Sequence, residues 1–581
     1  MKHCKPLWLG TVLSLAITGC SNSGAPGTGD GGGTPQPPGS SAACDPAGAS
    51  MPASPATGES REGLVCSIFI PSPLDPEEQI AFTVFEPLTL DGGERYPLVL
   101  EGHGFSASRQ TNDQGVAIPG LSAPIGPLRE AGYGIISIDQ AGHGDTGGTI
   151  RVMDPDQEGL FLLEILDWLE TNLDWYAIGP DADAGEDNML LGAIGPSYGG
   201  GYQYLIHAID PKKRLDALVP QITWNDLSYS LNPGGVIKAL WDITLFSVGQ
   251  QAGGGGNFDP FVNETLTNGL LNNRIDEFGQ DFFRYHSIGY FCDGVPVATN
   301  GGPGTAPMFP PAAPTAINVL MFQGMRDTLF NFNDAWRTYE CLNNRGGDVR
   351  LLSYQGGHNS LQVVPDPGAL LNETDGALNF DCADINADLA TVAWFDEHLK
   401  GIPGAADAVL NGTEVCISLA PGDALFANDV IAGTQGTAFA VPATPFLAGV
   451  NLVGVPVALH TAPAGGTVLA GVPRIEVELS DPLGVIQDPD NVIVFIGTGR
   501  TRGPLGNWEL ADNQVQPLRG LGRHEVNLPG IGERLAEGDQ AGLMLYGLHE
   551  QFVATGGVNA ANPVLGAVSL AGDAWLPLTN D

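Results

Sequence analysis

Basic residues are scarce in this 581-residue chain, which has 24 lysines and arginines against 66 aspartates and glutamates. The formal net charge of −42 would repel phosphate backbones, which argues against nucleic acid as a partner. The excess of acidic residues indicates a surface adapted to saline surroundings, and solubility alone is the alternative explanation. An apolar content of 43% is ample for packed cores, so the chain is not disordered as a whole.

Long apolar runs are also lacking: beyond the N-terminus, no stretch reaches the ~18 residues of a membrane-spanning helix. The first 20 residues, MKHCKPLWLGTVLSLAITGC, place two lysines before an apolar stretch, which is the order of an export signal. The ending ITGC resembles the lipobox of bacterial lipoproteins. That resemblance implies a signal peptide over 1–19, lipidation of Cys20, and anchoring of an exported protein to a bacterial outer membrane or cell surface. An ordinary signal peptide is the alternative, and residues 20–50, rich in Gly, Pro and Ser, predict a flexible tether.

Cysteine is sparse as well, with eight in the chain, and no CxxC pair or Cys/His cluster at metal-ligand spacing occurs. We therefore expect no metal and no cofactor. Cys4 leaves with the signal and Cys20 is assigned to lipid, so an even number remains, which favours disulfides in an exported protein. Pairing of neighbours along the chain, such as Cys44 with Cys66, is the first of the many possible connectivities. The disulfide candidates are Cys44, Cys66, Cys292, Cys341, Cys382 and Cys416.

Short, continuously apolar runs alternate with amphipathic stretches from about residue 60 to residue 401, which predicts a mostly parallel sheet covered on both faces. The aromatic, glycine-interrupted interval of about 225–310 breaks this rhythm and predicts an inserted cap. After residue 405 the texture changes to short alternating strands with Gly and Pro turns, typical of an antiparallel sandwich. The predicted domains are thus a catalytic domain over 51–405 and a β-sandwich over 406–581.

One serine stands between a predicted strand and a predicted helix, in the stretch LGAIGPSYGG. Ser197 has the context of a nucleophile on a tight strand-to-helix turn. His358 follows a late predicted strand, where a general base would reach it, and Asp327 follows the strand before that one. The chain order Ser197, Asp327, His358 is that of an α/β-hydrolase triad.

The oxyanion hole of such a site combines two backbone N–H groups. One is expected from Tyr198, which follows the nucleophile. The other is expected from the loop after an earlier strand, in VLEGHGFS, with Phe105 favoured over Gly104. His103 in the same loop is given no role in proton transfer.

Several segments together resemble the cocaine-esterase and X-prolyl dipeptidyl-peptidase family. This resemblance implies a Ser/Asp/His hydrolase of ester or amide bonds, with an α/β-hydrolase sheet, an inserted helical cap and a C-terminal jelly-roll-like β-sandwich. The early loop departs from the family, whose members commonly place a tyrosine there to complete the oxyanion hole. The segments are GPSYGG, GYGIISIDQAGHGDTGG, GMRDTLFNFNDAW, YQGGHN, GVPRIEVELSD, ADNQVQPLRGLGRHEVNLPG and EGDQAGLMLYG.

The combined pattern predicts an exported serine hydrolase that cleaves carboxylic esters of small molecules or polymers through an acyl-enzyme. A dipeptidyl-peptidase acting on amides is the first alternative, and a non-catalytic surface lipoprotein that binds carbohydrate or polymer is the second. Two further motifs are read as structural: GHGDTG over 142–147, which fits a dinucleotide loop, and DPDQEG over 154–159, which has the carboxylate spacing of a calcium loop. The oligomeric state is left open.

Overall fold

The computed structural model describes residues 43–112, 124–180, 188–250, 257–358, 380–450, 452–504, 506–552 and 564–580. The predicted signal peptide, Cys20 and most of the predicted tether lie outside these residues. None of the helices within the described ranges is both long and apolar enough to cross a membrane.

Helices and strands alternate in the first part of the chain, and strands alone dominate the last part. The helices are α1 (Ile125–Glu130), α2 (Glu158–Asn172), α3 (Tyr198–Ile209), α4 (Leu227–Leu231), α5 (Ala239–Gly249), α6 (Pro260–Asn272), α7 (Glu277–Tyr285), α8 (Ile288–Asp293), α9 (Phe332–Asn343), α10 (Ala387–His398) and α11 (Ala405–Leu410). The earlier strands are β1 (Ser60–Glu62), β2 (Val65–Pro71), β3 (Gln79–Phe85), β4 (Thr89–Asp91), β5 (Leu98–Gly102), β6 (Gly134–Ile138), β7 (Ile178–Gly179), β8 (Asn188–Met189), β9 (Leu191–Pro196), β10 (Ala217–Gln221), β11 (Asn318–Gly324), β12 (Val349–Tyr354), β13 (Val415–Ala420) and β14 (Asp423–Ala427). The later strands are β15 (Thr437–Ala448), β16 (Val455–Thr461), β17 (Thr467–Gly471), β18 (Arg474–Ser480), β19 (Ile493–Arg500), β20 (Glu509–Leu510), β21 (Gln516–Arg519), β22 (Gly522–Asn527), β23 (Ile531–Leu535), β24 (Gln540–Tyr546), β25 (Gly566–Leu576) and β26 (Leu578–Thr579).

One ten-stranded sheet carries the site, in the order β14-β13-β12-β11-β10-β9-β5-β6-β3-β2. The strands from β6 to β13 in this order run parallel, and antiparallel strands close both edges. Parallel neighbours present their carboxyl ends at one edge, so loops that follow β5, β9, β11 and β12 converge there. This mixed sheet confirms the predicted fold class.

The sheet is apolar on both faces because side chains alternate along each strand. In β5, Leu98 and Leu100 pack into one core while Val99 packs into another. Helices α2, α3 and α9 contribute to the first core, and α10 and α11 contribute to the second. Burial on two faces explains why these strands are continuously apolar in the sequence.

The predicted cap interval falls between β10 and β11, where helices α4 to α8 are inserted. A disulfide between Cys292 in α8 and Cys341 in α9 ties the end of this insertion to the helix that follows β11. The other two disulfides join Cys44 to Cys66 and Cys382 to Cys416. All six candidate cysteines are therefore paired with their neighbours along the chain, and Cys44, inside the predicted tether, is fixed to β2.

The catalytic sheet extends past residue 405, where the sequence predicts a boundary. After α10 and α11 the chain returns to the sheet, and β13 pairs in parallel with β12 before β14 closes the edge. The predicted division at 405/406 therefore differs from the sheet topology, because VCISLA forms one more buried parallel strand and not the first strand of the sandwich.

Antiparallel sheets follow from β15 onward, in the orders β15-β25-β18-β22, β16-β24-β19-β20 and β23-β17-β26. The first two of these sheets share a core of aliphatic side chains such as Val441, Ile475 and Leu543, which fits the predicted sandwich. This part also contacts the catalytic part: the side-chain amide of Gln514 donates to the carbonyl oxygen of Asp327 at 2.7 Å.

Candidate active site

Ser197 occupies a sharp turn between β9, which ends at Pro196, and α3, which begins at Tyr198. Its backbone has φ 56° and ψ −114°, a strained conformation for a residue with a side chain. The flanking glycines are needed for space: a Cβ on Gly199 would lie 2.0 Å from the carbonyl oxygen of Gly102. Ser197 therefore sits on the tight, strained strand-to-helix turn that the sequence predicts.

A continuous hydrogen-bonded chain links the three predicted triad residues. The hydroxyl oxygen Oγ of Ser197 lies 2.8 Å from Nε2 of His358, and Nδ1 of His358 lies 2.9 Å from Oδ2 of Asp327. Asp327 follows β11 and His358 follows β12, so neighbouring parallel strands deliver both side chains to one edge.

The carboxylate of Asp327 is fully buried and held in one orientation. Its other oxygen, Oδ1, accepts hydrogen bonds from the backbone N–H groups of Leu329 and Phe330, both at 2.9 Å. The His358 ring is packed edge-on by Phe330 and Trp241. A buried acceptor of this kind keeps the imidazole proton on Nδ1 and leaves Nε2 free to take a proton from the serine.

The predicted oxyanion residues lie beside the serine. Phe105 and Tyr198 line the same pocket as Ser197, and the rings of Phe105 and Tyr198 are 5.4 Å apart. The Tyr198 hydroxyl donates a hydrogen bond to Oε1 of Glu158 at 3.2 Å, so Tyr198 can serve the site only through its backbone. Within the described part of the chain, the N–H groups of Tyr198 and Phe105 have no hydrogen-bond acceptor. The oxyanion roles of Tyr198, Phe105 and Gly104 stay predictions.

His103 braces the loop that carries Phe105. Its Nε2 accepts from the backbone N–H of Gln140 at 3.2 Å, so Nδ1 carries the proton and donates to the carbonyl of Gly104 at 2.8 Å. Burial lowers the pKa of His103 to about 4, which keeps the ring neutral. Both ring nitrogens are thus occupied in holding the loop, in line with the absence of a proton-transfer role.

An apolar pocket of about 540 Å³, its open mouth included, has Ser197 in its lining. Cap helices α4, α5, α6 and α7 supply one part of the lining. The rest comes from the loop after β5 that contains Phe105, the turn at Ser197, the loops after β10 and β11, and the segments that precede α2 and α6. Apart from the serine and one aspartate, its lining is aliphatic or aromatic, which suits a hydrophobic acyl group. The lining residues are Phe105, Val152, Ser197, Tyr198, Trp224, Leu227, Leu231, Asp242, Leu245, Phe258, Val262, Leu266, Phe283, Leu329 and Phe330.

Asp242 is the residue that sequence reasoning missed. It is fully buried in α5, yet it lines the pocket, and neither of its carboxylate oxygens has a hydrogen-bond partner among the described residues. Burial raises its pKa well above the ordinary range, and the nearby Lys238 offsets only part of that rise. Its signal in the sequence is that it is the lone acid within the apolar run ALWDITLF.

The motif GHGDTG is built around a buried ion pair. Oxygens of the Asp139 carboxylate accept the backbone N–H groups of Arg109 and Asp145 and pair with the Arg109 guanidinium. Gly144 has φ 53°, and a Cβ there would lie 2.2 Å from the same carboxylate. A carboxylate thus occupies the centre of the loop. A dinucleotide-binding loop opens a helix directly, whereas helix α2 begins only at residue 158. The loop therefore has a structural role.

The acids of DPDQEG fasten the cap to the body. Asp154 pairs with Arg151, and Asp156 accepts the hydroxyl of Tyr285 at 2.5 Å. Asn300 donates to both carboxylates at 2.9 Å. Over the described ranges, no group of three or more His, Cys, Asp or Glu side chains is arranged to hold a metal ion.

Comparisons with known proteins bear on the family resemblance and the fold. Residues 78–253 match the family model of X-Pro dipeptidyl-peptidase (S15 family). A segment of 149 residues is 26% identical to an uncharacterised 31.7 kDa protein of Escherichia coli; it makes up 26% of this chain and spans 44% of that protein.

Two solved structures share the fold over most of the chain. A CocE/NonD family hydrolase from Staphylococcus aureus has a TM-score of 0.58 at 12% identity, with 89% of this chain and 94% of that chain covered. An aminopeptidase from a marine sediment archaeon, Thaumarchaeota archaeon, has a TM-score of 0.58 at 12% identity, with 89% and 97% covered. These findings confirm the family resemblance and the fold class.

Proposed function

We propose that this serine hydrolase of the X-Pro dipeptidyl-peptidase (S15) family cleaves carboxylic ester bonds through Ser197, His358 and Asp327. The observation that carries the proposal is the hydrogen-bonded chain from Ser197, which lines an apolar pocket, through His358 to the buried Asp327. An apolar pocket favours acyl groups with hydrophobic bulk.

The proposed reaction proceeds through an acyl-enzyme. Ser197 Oγ attacks the ester carbonyl carbon while its proton passes to Nε2 of His358. The N–H groups of Tyr198 and Phe105 would stabilise the oxyanion, with Gly104 as the second choice in the loop. His358 then gives the proton to the departing alkoxide, and the acyl group stays on Ser197. Water, deprotonated by His358, attacks this acyl-enzyme, releases the acid and restores the serine.

Ester and amide substrates would use the same groups, so the choice between them depends on the pocket. The apolar lining and the loop of His103, Gly104 and Phe105 favour esters. The competing candidate is a dipeptidyl-peptidase, which the name of the matched family suggests. Asp242 supports this candidate, because a carboxyl group in the pocket could pair with a substrate amine.

A side-by-side assay tests the proposal. We expect kcat/KM for p-nitrophenyl butyrate and hexanoate to exceed that for Gly-Pro and Ala-Pro p-nitroanilides. Because p-nitrophenol is an activated leaving group, its esters are easier to cleave than ordinary esters. The assay therefore includes the unactivated ester ethyl butyrate, measured by pH-stat, which we also expect to be hydrolysed. A tenfold preference for the prolyl anilides, about 1.4 kcal/mol in transition-state stabilisation, would assign the enzyme as a dipeptidyl-peptidase instead.

We also propose that the enzyme is exported and anchored through lipid on Cys20. Three disulfides support export, because such bonds persist in oxidising compartments. In a bacterial host, the protein should fractionate with membranes, and Cys20→Ser should move it to the soluble fraction. Recovery of both proteins in the same fraction would refute the lipid anchor.

A further inference from the structure

We propose that Asp242 is a specificity residue that binds a hydroxyl group on the acyl part of the substrate, so that the enzyme prefers hydroxyacyl esters. The inference deepens the proposed ester hydrolysis and rests on it. Asp242 acts on substrate binding and takes no part in the bond-breaking steps.

The position of Asp242 points to a ligand. It lies in the first turn of α5 in the cap and lines the pocket that contains Ser197, although its side chain is fully buried within the fold. Among the lining side chains in the described residues, Ser197 and Asp242 are the ones left to hydrogen-bond into the pocket. The Tyr198 hydroxyl donates to Glu158, and Nε1 of Trp224 donates to the carbonyl of His286. An acyl chain on Ser197 would therefore extend through an apolar space that holds a single polar group.

The bonding state of Asp242 is unusual for a buried acid. Neither carboxylate oxygen has a partner within the described ranges, whereas buried polar groups are nearly always paired. The nearest cation, Lys238, does not satisfy it: the ammonium group donates to the carbonyls of Thr328 and Leu329, both at 2.9 Å. Leaving a buried polar group unpaired is costly, and a substrate hydrogen-bonding group that enters this pocket would remove that cost.

A hydroxyl is the chemistry that fits best. The carboxyl group lies unpartnered among aliphatic and aromatic side chains, and this burial raises its pKa well above the ordinary range. Such surroundings favour the neutral acid, which has one O–H donor and a carbonyl acceptor. An alcohol matches both functions, since it also has one donor and accepts through its lone pairs. An ammonium group would require an ionised partner and the desolvation of two charges among aliphatic and aromatic side chains, which is far more costly.

The test compares p-nitrophenyl hexanoate with its 3-hydroxy and 6-hydroxy derivatives, which place the hydroxyl at two depths. For the wild-type full chain, at least one hydroxy ester should exceed hexanoate in kcat/KM by about tenfold or more. In Asp242→Leu, which is apolar, that ratio should fall to about one while hexanoate is still hydrolysed. Asp242→Asn retains a donor and an acceptor and should keep most of the preference.

Two controls separate recognition from structure. Thr244→Val alters a polar side chain on the same helix that does not line the pocket, and its hydroxyl bonds only to the Leu240 carbonyl in the described structure. This variant should keep the wild-type ratio. The thermal midpoint of Asp242→Leu should not fall, because the substitution removes an unpartnered buried carboxyl group; a merely structural role would lower it and leave the substrate ratio unchanged.

Each outcome decides a separate point. If hexanoate is hydrolysed but neither hydroxy ester is preferred, or if the preference survives in Asp242→Leu, the Asp242 inference is wrong and the ester proposal stands. If p-nitrophenyl 6-aminohexanoate is preferred over both hydroxy esters and Asp242→Asn abolishes this, the group is an ammonium anchor and the hydroxyl assignment is overturned. If the wild type hydrolyses none of these esters, the proposed function itself fails.

Discussion

Replacing Asp327 by Asn tests the electronic role of the buried carboxylate, because the structure dictates how the new amide must sit. Oδ1 of Asp327 accepts two backbone N–H groups, from Leu329 and Phe330. Only the carbonyl oxygen of an asparagine can replace it there, so the NH2 group must face Nδ1 of His358. The amide then donates to Nδ1 and forces the histidine proton onto Nε2.

A proton on Nε2 blocks the reaction, since that nitrogen must accept the proton of Ser197. In serine hydrolases with the same arrangement, the loss in kcat is roughly ten-thousand-fold, or about 5.4 kcal/mol in activation free energy. We expect a similar loss for Asp327→Asn with p-nitrophenyl butyrate. The thermal midpoint should change little, because the two backbone hydrogen bonds are kept.

Asp334→Asn is the matched control. Asp334 is also fully buried and accepts a backbone N–H, from Asn225 at 3.0 Å, but it does not contact His358. This variant should keep activity within about tenfold of wild type. An Asp327→Asn enzyme that retained more than a tenth of the wild-type kcat would refute the tautomer argument.

Three further outcomes test the physical account of stability. The chain carries 24 basic against 66 acidic residues, so its melting temperature should rise from near-zero to molar sodium chloride as self-repulsion is screened. A flat curve would contradict saline adaptation. Removing the Cys292–Cys341 disulfide with two Ala substitutions should lower the unfolding free energy by about 4 kcal/mol in denaturant titration, because it closes a loop with a sequence separation of 49. Burial raises the pKa of Glu101 from 4.5 to about 7, a hydrogen bond from Ser137 lowers it and the charge of Asp139 raises it. Folding thus binds a proton at Glu101, and the associated stability is present below pH 4.5 and is lost as the pH rises to about 7. Glu101→Gln should flatten the plot of unfolding free energy against pH in that range. An unchanged slope would exclude Glu101 as its source.

Much of the catalytic fold could be predicted because its signals are local. Runs such as YGIISID and INVLMFQG are continuously apolar because each strand is buried on both faces, and their bounds in the structure differ from the runs by only one or two residues. The triad follows from the same logic, since polar residues after successive parallel strands meet at one edge. The chain-adjacent pairing of the disulfides matches the first of the connectivities considered, although sequence order alone could not choose it.

Other features depend on contacts that no local pattern records. VCISLA has the composition of any short strand, so only its pairing with β12 reveals that it belongs to the first sheet. Asp242 is one acid among 66, and its lack of partners becomes visible only when the cap helix covers the pocket. The same holds for Gln514, which reaches Asp327 from 187 residues away along the chain.

Covalent labelling tests the central claim, that Ser197 is the nucleophile and lies in the lining of the apolar pocket. The full-length protein is treated with a fluorophosphonate probe, digested and mapped by mass spectrometry, with Ser197→Ala and Asp327→Asn treated in parallel. The account predicts one phosphonylated serine, Ser197, with no labelling in Ser197→Ala and much slower labelling in Asp327→Asn. A folded wild-type protein that failed to react, or an adduct on a different serine that persisted in Ser197→Ala, would contradict it.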